Sequence, residues 1–154
     1  MTEAGLSNLA TTMRDSNPEL ASWVEQLRAS SASTQYAFAA FGYEDGVYMG
    51  NVNITRTPAG GLSLDGAEPY LFGQLSQMPG VSDIISRRVA LPIGDALLLT
   101  ESVTMQVSGS DFVQTQHLYF VIEDDVLIAV SFTCNQGRKT CIDDAEAMIN
   151  TLRP

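Results

Sequence analysis

The sequence predicts an α+β fold: an α/β/α sandwich built on a central antiparallel sheet of about six strands. Two observations lead there. Three consecutive amphipathic strand segments, ALLLTESVTMQV, FVQTQHLYFVI and VLIAVSFTC, are close enough in sequence to pair by hairpins, and a capped helix that lies most simply across one face of the sheet follows them. Two further helical segments, one near the start and one in the middle of the chain, stand apart from the strands, as layered antiparallel α+β folds require.

The elements follow in order. A first helix is expected from Pro18 to about Ala29: Asn17 suits the N-cap, Pro18 the first helical position, and Glu19 the positive end of the dipole. Leu20, Trp23, Val24 and Leu27 recur at helical spacing and give it one apolar stripe. A strand from Tyr36 to Tyr43 meets the turn Glu44-Asp45-Gly46. The next run, VYMGNVNIT, sets Tyr48, Val52 and Ile54 against Asn51 and Asn53, the alternation of a half-solvated antiparallel strand. Thr57 to Gly61 is a loop.

Asp65 with Glu68 three residues on resembles a capping box, and Leu71, Leu75 and Met78 carry the buried stripe of a second helix that Pro79-Gly80 ends. Val81 to Leu91 contains a strand with Val89 and Leu91 on one face. In the strand after it, Leu97, Leu99, Val103, Met105 and Val107 share a face, opposite Thr100, Ser102, Thr104 and Gln106. Glu101 falls on the apolar side and breaks the pattern. The last helix is expected to start near Asp143, with Asp143 and Glu146 as a second capping box and Ala145, Met148, Ile149 and Leu152 facing inward.

At 154 residues the chain suits one domain spanning 1–154, large enough to bury roughly two-thirds of its unfolded surface. No apolar run approaches the ~20 residues of a membrane helix, so no transmembrane segment is expected. Eighteen acidic against eight basic residues give a formal charge of −10, and the only lysine is Lys139. Such a surface repels nucleic-acid phosphates, so no nucleic-acid partner is expected.

Reactive chemistry is thin. His117 is the single histidine and shares its strand face with Val113, Thr115, Tyr119 and Val121. No second histidine stands by to complete a metal site, and no nucleophile elbow, phosphate loop or calcium loop occurs. The chain therefore reads as non-enzymatic, with no catalytic, cofactor-binding or metal residues and no cofactor. Glu101 is a candidate pocket carboxylate, or one half of a buried pair with Arg87 or Arg88 on the strand upstream. Tyr36, Tyr43, Tyr48, Tyr70 and Tyr119, with Trp23, are candidates for an aromatic patch. Cys134 and Cys141 flank NQGRKT, whose turn formers can bring them together; the alternative is two unrelated free thiols. A bridge would contribute about 2–3 kcal/mol and would point to an oxidising compartment.

The segments PGVSDIISRRVALPIGDALLLTESV, QTQHLYFVIEDDVLIAVSFTC and DDAEAMINTLRP resemble the second half of the PsbP-like fold. That family includes the photosystem II extrinsic subunit, a Ran-binding import factor and LpqN-type bacterial lipoproteins. NPELASWVEQL and NVNITRTP resemble its upstream helix and strand. The shared motifs are structural, so the resemblance implies an α/β/α sandwich, no common enzymatic activity, and binding of protein partners or small ligands; it carries over no site residues. Members commonly open with a secretion or lipoprotein signal, so its absence before MTEAGLSN leads to the expectation that an N-terminal portion has been removed. The expected function is a non-enzymatic accessory or binding domain of an extracytoplasmic, lipoprotein-anchored type. The alternative is a cytoplasmic adaptor or chaperone for secreted effectors, since members of this fold serve type VI secretion.

Overall fold

The computed structural model describes residues 35–44, 47–107, 110–136 and 139–153. The helix expected over Pro18–Ala29 lies outside them. Among the described residues the elements are β1 (Gln35–Glu44), β2 (Val47–Pro58), α1 (Leu64–Leu75), β3 (Val81–Leu91), β4 (Gly94–Val107), β5 (Ser110–Glu123), β6 (Val126–Asn135) and α2 (Lys139–Ile149). The protein is α+β, and the strands form one antiparallel sheet in the order β1-β2-β6-β5-β4-β3.

Strands β3 to β6 make the meander that their spacing demanded, but the meander starts at the far edge. The chain leaves β2, crosses the sheet through α1, and returns strand by strand until β6 docks against β2. β6 is thus covered on both sides and both faces, and Val130 through Cys134 are all buried.

Alternate side chains of a strand point to opposite faces, so the register sorts the core into two layers. Leu97, Leu99 and Phe120 face α1, where Leu64, Leu71 and Leu75 cover them. Leu98, Tyr119, Val130, Phe132 and Val52 face the other way, under Ala145 and Ile149 of α2. Tyr119 and Phe132 meet edge to face there, with centroids 6.1 Å apart. β4 is therefore apolar on both faces at Leu97–Leu99, which strict alternation did not anticipate, and Met105 on its supposed inner face is 40% exposed.

Helix ends also depart from expectation. α1 is capped by Ser63, whose Oγ accepts the Gly66 amide at 3.2 Å, so Asp65 sits inside the first turn and is free to meet Arg88. The helix stops at Leu75, before Met78, which is 53% exposed. Gly80 then turns with φ of +81° while pressed against the Thr104 carbonyl, a position that excludes a Cβ. α2 starts at Lys139, four residues earlier than Asp143, because a Cys134–Cys141 disulfide (Cα–Cα 5.9 Å) ties its first turn to the end of β6. Met148 is exposed and Ala145, Ile149 and Leu152 carry the inner stripe.

The β5–β6 hairpin turns on Asp124 (φ 49°) and Asp125 (φ 61°), both left-handed as a two-residue primed turn requires. The Asp125 carbonyl accepts the Ala59 amide and its Oδ1 accepts the Gly61 amide, each at 2.7 Å, so one turn anchors the loop between β2 and α1.

Candidate functional site

α1 covers only part of its face. Beyond it, Asn51, Thr133, Gln116 and Glu101 stand opposite one another in consecutive register across β2, β6, β5 and β4. Asn53 and Ser131 pair on one side of this row, Gln114 and Asn135 on the other. Eight hydrogen-bonding side chains thus share one face, none of them exposed, with Glu101 (2%) and Gln114 (3%) almost completely enclosed. Gln116 Nε2 donates to Ser131 Oγ at 3.0 Å, and Gln114 Nε2 donates to Asn135 Oδ1 at 3.1 Å.

Glu101 ends the row without a partner for Oε2. Desolvation raises its pKa above the ordinary carboxylate value, which favours the neutral acid, a donor as well as an acceptor. It stands on the face of Leu97 and Leu99, as its strand alone suggested, but its cross-strand neighbour is the polar Gln116.

The expected pairing of Glu101 with Arg87 or Arg88 does not occur. Arg87 stands opposite Leu98 and so belongs to the α2 face, away from Glu101. Arg88 shares the face of Glu101, but it stands opposite Leu97 and turns to α1, where Nη2 lies 2.5 Å from Asp65 Oδ1 and 3.5 Å from Glu68 Oε2. Glu68 also accepts the Ser86 hydroxyl, which ties helix to strand. Of the candidate aromatic patch, the two members among the described side chains are apart: Tyr70 projects from α1 at 59% exposure, and Tyr119 is buried on the opposite face. Tyr36, Tyr43 and Tyr48 have side chains outside the described part, as does Trp23.

On the α2 face His117 lies between Phe132 and Thr100 in register. It is 8% exposed, and neither ring nitrogen has a hydrogen-bond partner. Burial lowers its pKa, nearby Glu146 opposes that shift, and Arg87 adds to it. The same two charges act on Tyr119, whose hydroxyl burial pushes up, with Glu146 reinforcing and Arg87 opposing. His117, Tyr119, Glu146 and Arg87 therefore form one electrostatic group, which single-strand reading missed because its members come from β3, β5 and α2.

An open groove of about 570 Å³ lies at the start of α1, lined by Ser63, Asp65, Arg88, Asp95 and Ile122 among others, and it reaches neither Glu101 nor His117. Two of its charges, Arg88 and Asp65, are already bound to each other, whereas Glu101 Oε2 in the buried polar row has no hydrogen-bond partner.

No family model matches the sequence, and no curated protein matches it. Among solved structures, PA94, a Pseudomonas aeruginosa protein of unknown function, is 18% identical with a TM-score of 0.56, covering 79% of this chain and 83% of that one. LpqN of Mycobacterium tuberculosis, a protein involved in cell envelope biogenesis, is 10% identical with a TM-score of 0.49, covering 79% of this chain and 77% of its own. At 18% identity the likeness to PA94 shows the fold alone, and it does not single out the PsbP-like proteins.

Proposed function

We propose that this chain is a non-enzymatic accessory or binding domain that works outside the cytoplasm and holds a small ligand or a protein segment on the polar row ending at Glu101. One observation carries the reading: an enclosed carboxyl whose Oε2 has no hydrogen-bond partner terminates a four-strand row of amides and hydroxyls. An apolar face would serve stability better, because each buried polar group left unpaired costs about 1–3 kcal/mol. Such a cost is characteristic of recognition surfaces, where stability is traded for function.

The compartment rests on the Cys134–Cys141 disulfide. Cytosolic thiols are kept reduced, so the bridge favours an oxidising location and weighs against the cytoplasmic adaptor for secreted effectors. The bridge also removes both thiols from the possible nucleophiles.

Two measurements test the proposal. The double substitution Glu101→Leu with Gln116→Leu is expected to leave thermal stability unchanged or raised; a large loss of stability would show that the row is structural and sink the binding role. Alkylation and intact mass of protein from its native source should find no free thiol. Two alkylated cysteines would refute the extracytoplasmic assignment.

A further inference from the structure

Strand β3 ends the sheet, and among the described residues it pairs with β4 alone. Leu91 and Gly94 close a two-residue turn, so they exchange both main-chain hydrogen bonds. The exchange recurs at every second pair, Val89 with Ala96 and Arg87 with Leu98. Ser86, Arg88 and Ala90 lie between those pairs and therefore turn their N–H and C=O groups to the open edge. No main-chain bond outside the sheet ladders among the described residues uses these groups. Upstream, the irregularity between Ser82 and Ile85, with Asp83 at a φ of 53°, breaks the edge, but from Ser86 to Leu91 the register with β4 is continuous. A regular, open strand edge is a template for another strand.

The groove of about 570 Å³ at the start of α1 opens on this same stretch. Arg88, Val89 and Ala90 line it in succession. Consecutive side chains alternate between faces, so a groove touching all three runs along the β3 main chain. It continues inward to Asp95, the cross-strand partner of Ala90. Asp95 is exposed, and its carboxylate has no ion pair or hydrogen bond among the described residues. Arg88, which could have neutralised it, is held against α1 by Asp65. Ala90 places only a methyl group between the edge and that carboxylate.

We propose that the β3 edge from Ser86 to Ala90 takes up an extended segment of a partner protein as an added strand, and that a lysine or arginine of that segment reaches over Ala90 to Asp95. This surface is separate from the Glu101 row and does not depend on it. Main-chain hydrogen bonds to alternate residues supply the affinity, and the groove selects the side chain, as in other strand additions. Two strand spacings, about 10 Å, separate the added strand from β4, a gap that a long basic side chain and a carboxylate span together. The formal charge of −10 draws a basic segment in and opposes a second copy of this acidic chain at the same edge.

The probe is a fluorescein-labelled peptide, Thr-Val-Thr-Lys-Thr-Val-Thr, titrated with the folded protein near neutral pH and followed by fluorescence anisotropy. Saturable binding is expected, and it should weaken when norleucine replaces the lysine. Two further peptides carry N-methyl groups at alternate residues, one in each phase. One of them should fail to bind and the other should not, because only one set of amides faces β3. Asp95→Asn, at an exposed position, should weaken the lysine peptide about threefold and leave the norleucine peptide unchanged, as loss of a solvent-exposed ion pair implies. Ala90→Pro removes an outward N–H without touching the β4 ladder, so it should weaken both peptides while the circular dichroism spectrum stays that of the parent. No saturable binding, equal binding of both N-methylated peptides, an Asp95→Asn effect shared by the norleucine peptide, or self-association that the peptide cannot displace would overturn the assignment.

Discussion

Arg88 and Glu101 share one face of the sheet, yet the guanidinium of Arg88 is committed to Asp65, 2.5 Å away, and leaves the carboxyl of Glu101 without a countercharge. An acid whose pKa is raised by burial keeps its proton in the folded state after the unfolded chain has lost it. Stability from Glu101 is therefore full below the ordinary carboxylate range, near pH 4, and declines as pH rises toward the raised folded value. Glu101→Gln, which mimics the neutral acid, should flatten this part of the stability–pH curve and match or exceed the parent at neutral pH. A Gln variant with an unchanged pH slope would show that Glu101 is ionised when folded.

His117 works in the opposite sense. Its folded pKa lies below the ordinary imidazole value, so the neutral ring is favoured in the fold. Its contribution is full above about pH 6.5 and is lost as pH falls toward the depressed value, because the unfolded chain then binds the proton first. Denaturant titrations at several pH values should show stability falling on acidification in this window, and His117→Gln should remove that component.

The Arg88 cluster is a surface feature, with Asp65 almost fully exposed. Arg88→Ala is expected to cost less than about 1 kcal/mol, and high salt should shrink the difference further. Chemical denaturation at two ionic strengths measures it; a loss of several kcal/mol would mean that the guanidinium is far less solvated than its exposure indicates.

Reduction of Cys134–Cys141 should lower stability by about 2–3 kcal/mol, the loop-closure contribution of a bridge this short. Cys134 is 1% exposed, so native reduction should be slow and should accelerate in mild denaturant. Thermal melts with and without reductant, beside timed alkylation, check both statements.

Asp125 holds a left-handed backbone and accepts two amides of the β2–α1 loop. Asp125→Ala keeps the carbonyl contact only at the cost of strain and deletes the Oδ1 contact with Gly61, so a loss of about 1–2 kcal/mol is expected. Asp125→Gly relieves the strain but not the lost bond, and should fall between Ala and the parent.

Much of this fold was legible locally. The closeness of the three strand segments marked the hairpins of β4 to β6, and the turn formers of NQGRKT allowed the disulfide that formed. Helix ends were read less well. Asp65–Glu68 and Asp143–Glu146 both have capping-box spacing, but Ser63 took the first cap and the disulfide moved the start of α2 upstream. Glu101 looked anomalous only because one strand was considered at a time; Gln114 and Gln116, at alternate positions of β5, were the visible hint that its face turns polar.

The sequence by itself determined the α+β class, the strand segments and the hairpins between neighbours, because those depend on side-chain period and turn chemistry within a few residues. Only the tertiary structure decided that β6 docks against β2, with Phe132 opposite Val52 and Thr133 opposite Asn51. That pairing joins segments some eighty residues apart in the chain. Its register sets Asn51 beside Thr133 and so completes the row that the two hairpins align through Gln116 to Glu101. Local propensity carries no information about such non-local register; it is set by which faces must be buried together once the sheet closes.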